Sequence, residues 1–119
     1  MNEIRVHWAL DQCASVVHLL QLFEDDRSIY MVLEFQPKGT LMTVLENHPS
    51  KMQRFSEPHS RVIIEQILLA LDFFQHKKIV HRDIKLDNIL ISSVEDRSEY
   101  DIRIADFGLA LFTPNDELI

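Results

Sequence analysis

The side chains in this sequence best suited to chemistry lie in His81-Arg82-Asp83-Ile84-Lys85-Leu86-Asp87-Asn88 and in the later tripeptide Asp106-Phe107-Gly108. Moving a phosphoryl group asks little covalent chemistry of a protein and much positioned charge. One carboxylate must orient a hydroxyl, a cation must sit on the phosphate, and two oxygens must be open to a metal ion. Asp83, Lys85, Asn88 and Asp106 make up such a set. Taken singly, each has a plainer role: a loop carboxylate capping a turn, a solvated lysine, or a turn asparagine. The spacing of the set, followed by a strand pattern and then Asp106, is what favours chemistry.

The elements that must position these residues are legible around them. The apolar pairs and triplets at 79–80 and 89–91 predict short strands on either side of the polar 81–88 loop, and 102–105 alternates like a strand ahead of Asp106. Residues 95–100 read as a solvated turn. The longest regular element is predicted over 57–77, with Ser56 as N-cap and Pro58 tolerated in the first turn. Arg61, Glu65, Asp72 and His76 share one stripe of that helix, while Ile63, Ile67, Leu68, Ala70, Leu71 and Phe74 cover most of the rest, so it is expected to be largely buried. Upstream, the β-rich runs 16–23 and 28–35, separated by Glu24-Asp25-Asp26-Arg27, predict a hairpin. Gln36-Pro37-Lys38-Gly39 is a turn signal, Thr40 can cap a short helix over 41–47, and 48–55 is an irregular connector. Residues 1–10 fit the tail end of a helix, and 11–15 a loop. The fold class expected is α+β.

Composition bounds the function classes. The chain has 119 residues, one domain's worth at most, and its 46% hydrophobic and 26% charged content is ordinary for a globular protein, which excludes disordered and fibrous classes. A formal charge of −7 argues against nonspecific binding to nucleic acid or to an anionic membrane. Cys13 is the only cysteine, so an intrachain disulfide and a thiolate zinc cluster are both excluded, and a reducing, intracellular setting in cytoplasm or nucleus is expected. The N-terminus does not resemble a signal peptide. The richest apolar stretch, 62–74, is broken by Glu65, Gln66 and Asp72, so no membrane span is expected.

With these residues in hand, the sequence resembles a eukaryotic protein kinase catalytic domain of the serine/threonine type. The resemblance implies that Asp83 is the acid of the catalytic loop, that Lys85 reaches the γ-phosphate of ATP, and that Asn88 and Asp106 are ligands for Mg²⁺. Lysine at position 85 resembles serine/threonine rather than tyrosine kinases. The strand leading into 34–36 resembles the kinase hinge, which implies Leu33 as gatekeeper, the backbone of Glu34 and Gln36 on the adenine edge, and Leu90 as the apolar floor beneath the base. Thr40 departs from the family, standing where many kinases carry a ribose-contacting acid. Arg82 resembles the arginine that pairs with a phosphorylated activation segment, with a structural ion pair as the alternative. His81 and Phe107 resemble packed spine residues, and His7 a third. Glu3 resembles the helix glutamate that pairs with a strand lysine; with that lysine outside the chain, Glu3 is expected to be solvated. Thr113 is the only hydroxyl residue after Asp106, and the usual phosphosite lies beyond Ile119.

The match spans nearly the whole chain but only the middle of a kinase domain. Residues 1–35 correspond to the end of the small lobe, 36–39 to the hinge, and 40–119 to the start of the large lobe through the early activation segment. A glycine-rich loop, a lysine-bearing strand and an Ala-Pro-Glu segment have no counterpart here. The expectation is therefore a partial serine/threonine kinase domain, using ATP and Mg²⁺ on protein hydroxyls, whose 119 residues alone lack measurable activity. The alternative is a truncated, non-catalytic interaction module.

Overall fold

The computed structural model describes residues 2–47, 55–92 and 100–113. Helix α1 (Asn2–Leu10) buries Val6, His7 and Leu10, an i, i+1, i+4 set that turns one face inward. Strands β1 (Leu19–Glu24) and β2 (Ile29–Leu33) form an antiparallel hairpin with Leu22 opposite Met31 and Glu24 opposite Ile29. Its turn is built on Asp25, whose carboxylate accepts the Arg27 and Ser28 N–H groups at 2.8 and 2.7 Å and the Tyr30 hydroxyl at 2.9 Å. Led by the Arg27 N–H, these donors hold the Asp25 carboxyl below its ordinary value. The hairpin is shorter than the 16–23 and 28–35 expected. Residues 16–17 leave the ladder because Val16 pairs in parallel with Ile104 and the Val17 N–H donates to Ile104 O at 3.0 Å.

Gly39 closes the turn after the hairpin at φ 80°, a left-handed conformation that glycine adopts without a Cβ penalty. Thr40 then caps α2 (Leu41–Glu46), accepting the Thr43 N–H at 3.1 Å. Helix α3 (Glu57–His76) is the longest element, with Ser56 Oγ accepting the His59 N–H at 3.3 Å and proline in the first turn. It ends where Lys78 takes φ 59° and returns its N–H to Gln75 O at 3.0 Å. Removing the cap by Ser56→Ala is expected to cost about 1 kcal/mol, read as a lower urea midpoint at unchanged slope.

Only one side of α3 is covered. Ile63, Ala70 and Phe74 are buried and Ile67 and Phe73 pack against them, whereas Ile64, Leu68 and Leu69 are 53%, 60% and 65% exposed. The expectation of a largely buried helix is thus corrected: apolar residues extend around α3 beyond the single side that the described strands and loops can cover.

After α3 come β3 (Ile79–Val80), a 3₁₀ turn at Leu86–Asn88, β4 (Ile89–Ile91), β5 (Ile102–Ile104) and β6 (Leu111–Phe112). β4 pairs antiparallel with β5, and β3 with β6. The strand pattern at 102–105 appears as β5, one residue shorter. β6 was not anticipated, since two apolar residues carry no period and become a strand only by meeting β3. A core that includes Val6, Leu10, Val16, Leu41, Phe74, Ile89, Ile104 and Phe107 joins α1, α2 and α3 to β4 and β5. Among the described residues no helix is long and apolar enough to cross a membrane. Most of the 48–55 connector and of the 95–100 turn lies outside the described residues.

Candidate functional site

The 81–88 loop hangs between β3 and β4 and is wired to itself. The Asp83 N–H donates to His81 Nδ1 at 3.0 Å, so the proton of that ring sits on Nε2, which donates to Ala105 O at 3.0 Å. His81 thereby ties the start of the loop to the residue ahead of Asp106. At the other end Asn88, buried, donates from Nδ2 to Asp83 O at 3.0 Å and to Asp83 Oδ2 at 3.1 Å. Lys85 Nζ lies 3.7 Å from Asp83 Oδ1. Asp83 is therefore in direct contact with both Lys85 and Asn88, the residues grouped with it by type and spacing.

Asp106 is joined to this group through the main chain, because the Ala105 N–H donates to Asn88 O at 2.9 Å. It takes φ 60°, a left-handed value uncommon outside glycine and met with at functional sites, and its carboxylate accepts the Gly108 N–H at 3.1 Å. Arg82 is left-handed as well, at φ 69°, and its Nε donates to Leu109 O at 2.7 Å. The arginine singled out for a phosphate or an ion pair thus holds the backbone that follows Asp106-Phe107-Gly108.

Beneath these residues four rings from four parts of the chain meet. Phe107 is edge-on to His7 of α1 at 4.9 Å and to His81 at 5.1 Å, and reaches Phe74 of α3 at 6.1 Å. His7 Nε2 also donates to Val17 O at 2.6 Å. The packed roles expected of His7, His81 and Phe107 agree with this burial. Glu3 is exposed.

The second group of candidate residues lies along the hairpin exit. Leu33 ends β2, Gln36 is buried, and Leu90 is half-buried on β4. Leu90 forms an antiparallel bridge with Thr40, and the Ile91 N–H donates to Gly39 O at 2.9 Å, so the 36–40 turn sits on the strand that follows Asn88. The Thr40 hydroxyl is engaged in capping α2. Among the described residues no group of three or more His, Cys, Asp or Glu side chains gathers as a metal site.

Sequence reasoning passed over Gln66 and Arg103. Gln66, read as an interruption of an apolar helix, donates from Nε2 to Tyr100 O at 2.8 Å and accepts the Ile102 N–H on Oε1 at 2.9 Å. A lone amide on an apolar helix face was the available signal. It anchors the beginning of β5, the strand that delivers Asp106.

The family model described as protein kinase domain matches residues 1–118. The chain is 33% identical over 116 residues to the cell cycle serine/threonine-protein kinase CDC5/MSD2 of Saccharomyces cerevisiae, covering 98% of this chain and 15% of that protein. It is 36% identical over 100 residues to the serine/threonine-protein kinase 33 of Mus musculus, covering 81% of this chain and 20% of the relative. With Aurora kinase B of Drosophila melanogaster the identity is 35% over 102 residues, covering 86% of this chain and 29% of the relative. The chain thus spans less than a third of the length of each of these relatives.

Proposed function

Since the chain belongs to the protein kinase domain family, we propose that it supplies the catalytic loop and hinge of a serine/threonine protein kinase, which transfers the γ-phosphoryl group of ATP to protein hydroxyls. Residues 1–35 are the end of the small lobe, 36–39 the hinge, and 40–119 the beginning of the large lobe. The observation that carries the reading is the double hydrogen bond from Asn88 Nδ2 to Asp83. It holds the Asp83 carboxylate in place to orient a substrate hydroxyl and take its proton. It also commits the nitrogen of the Asn88 amide, leaving the oxygen end for a cation.

Asn88 and the Asp106 carboxylate are hard oxygen donors suited to Mg²⁺, whose coordination shell also accepts phosphate oxygens and water. Bound Mg²⁺ would neutralise charge on the phosphates of ATP. Lys85, next to Asp83, offsets negative charge on the transferred group. Leu33 and Leu90 supply apolar surface to the adenine, and the backbone of Glu34 and Gln36 its hydrogen bonds. An intracellular setting follows from the reducing environment that suits the buried, unpaired Cys13.

The test begins with the coding DNA on either side of these codons. The product of the longest continuous reading frame through them is purified and assayed for transfer of labelled γ-phosphate to a mixed serine/threonine peptide library. Transfer that needs Mg²⁺ and is abolished by Asp83→Asn supports the reading. Stop codons close on both sides, with an inactive product, would sink it in favour of a non-catalytic module.

A further inference from the structure

Glu34 is named above for its backbone, yet its side chain is engaged as well. The Glu34 N–H donates to His18 O at 3.0 Å and the carboxylate Oε1 accepts the His18 N–H at 3.0 Å, so the residue is clamped at two points to the loop ahead of β1. The same loop is bonded to β5: the Ile104 N–H donates to Ser15 O at 2.7 Å and the Val17 N–H to Ile104 O at 3.0 Å. β5 also carries Arg103, whose Nε lies 3.6 Å from Glu34 Oε1, with the two side chains only 17% and 22% exposed. Among the described residues the buried Arg103 Nε has no hydrogen-bond acceptor, so Glu34 is the charge that answers it. The guanidinium also acts on its surroundings. Burial raises the Cys13 thiol above its ordinary value, and the Ser15 backbone hydrogen bond and then the Arg103 charge offset part of that rise.

These contacts close a ring from Glu34 through His18 and Val17 to Ile104, and back across Arg103. One side of the ring is the turn proposed to hold the base; the other ends two residues later at Asp106. We propose that Glu34 and Arg103 are a positioning pair, whose attraction sets the 34–36 turn against the strand that delivers Asp106. The base-binding edge and the metal-binding carboxylate are thereby held at one spacing. The naming of those two ends rests on the function proposed above; the pair itself does not.

The test uses amide hydrogen exchange on the 119-residue chain without nucleotide. Glu34→Gln keeps an oxygen for the His18 N–H and removes only the charge; Arg103→Met keeps the apolar stem and removes only the cation. Each is expected to speed exchange at Glu34, Val17 and Ile104 by about tenfold, within the range of direct-contact couplings. The double variant is expected to show the same tenfold change, Arg103→Lys to restore slow exchange, and the amides of α3 to stay unchanged. Three results overturn the pair: effects that multiply in the double variant, loosening of Ile104 with Glu34 untouched, or equal acceleration across α3. Should Arg103→Met fail to fold, Glu34→Gln decides alone, since acceleration at Ile104 across the ring supports the pair and its absence rejects it. Because no nucleotide is present, a negative phosphoryl-transfer assay alongside this exchange pattern rejects the function and keeps the pair.

Discussion

Phe107→Ala is expected to lower the unfolding free energy of the chain by about 3–5 kcal/mol. The Phe107 ring is fully buried and is the one member of the four-ring cluster that touches His7, His81 and Phe74 alike. Its removal leaves a cavity bordered by His7 of α1, His81 of the loop and Phe74 of α3, the last two of which also stack on each other at 6.4 Å. Against a total stability of ~5–15 kcal/mol for a domain, that is a large fraction, so the variant should sit close to its unfolding transition at room temperature. Urea unfolding followed by far-ultraviolet circular dichroism measures the effect. Leu109→Ala, two residues on and 52% exposed, is the control, expected within about 0.5 kcal/mol of the parent. A Phe107→Ala midpoint indistinguishable from that of Leu109→Ala would show that the cluster is not the structural link described.

Asp83→Asn is expected to reduce phosphoryl transfer by the longest reading-frame product by about 10²–10⁴-fold, the usual contribution of a positioned acid or base. Asparagine keeps the size of the side chain and one carbonyl oxygen for Asn88 Nδ2, so the loop retains its shape. What is lost is the anionic oxygen that faces Lys85 Nζ at 3.7 Å and, in the proposed function, takes the hydroxyl proton. The loss should therefore appear in kcat, with KM for ATP little changed and the circular dichroism spectrum unaltered. Retention of more than a tenth of the parent activity would remove Asp83 from the reaction. A large rise in KM for ATP instead would make it a binding residue.

The candidate site was legible because its signal is local. Asp83, Lys85 and Asn88 lie within six residues of one another, and a loop that short, between two strands, brings them into contact by chain geometry alone. The ends of α3 were legible for the same reason, since Ser56 and the first-turn proline act on the turn beside them. Less local features failed. The side of α3 that faces the core could not be read from its composition, because apolar residues extend around more of the helix than the described chain covers. β6 has no pattern of its own and exists through β3, some thirty residues away.

The sequence by itself determined the α+β class and the order of the helices and strands as far as β5, because residue type, period and capping are properties of short windows. Only the tertiary structure decided that Phe107 gathers His7, His81 and Phe74 into one cluster, that Arg82 holds Leu109 O, and that Gln66 anchors β5. It alone set Arg103 against Glu34. Each of these joins residues between 26 and 100 positions apart in the chain. Their meeting depends on how helices and strands stack to bury apolar surface, and the residues concerned carry no mark of it in their own neighbourhoods.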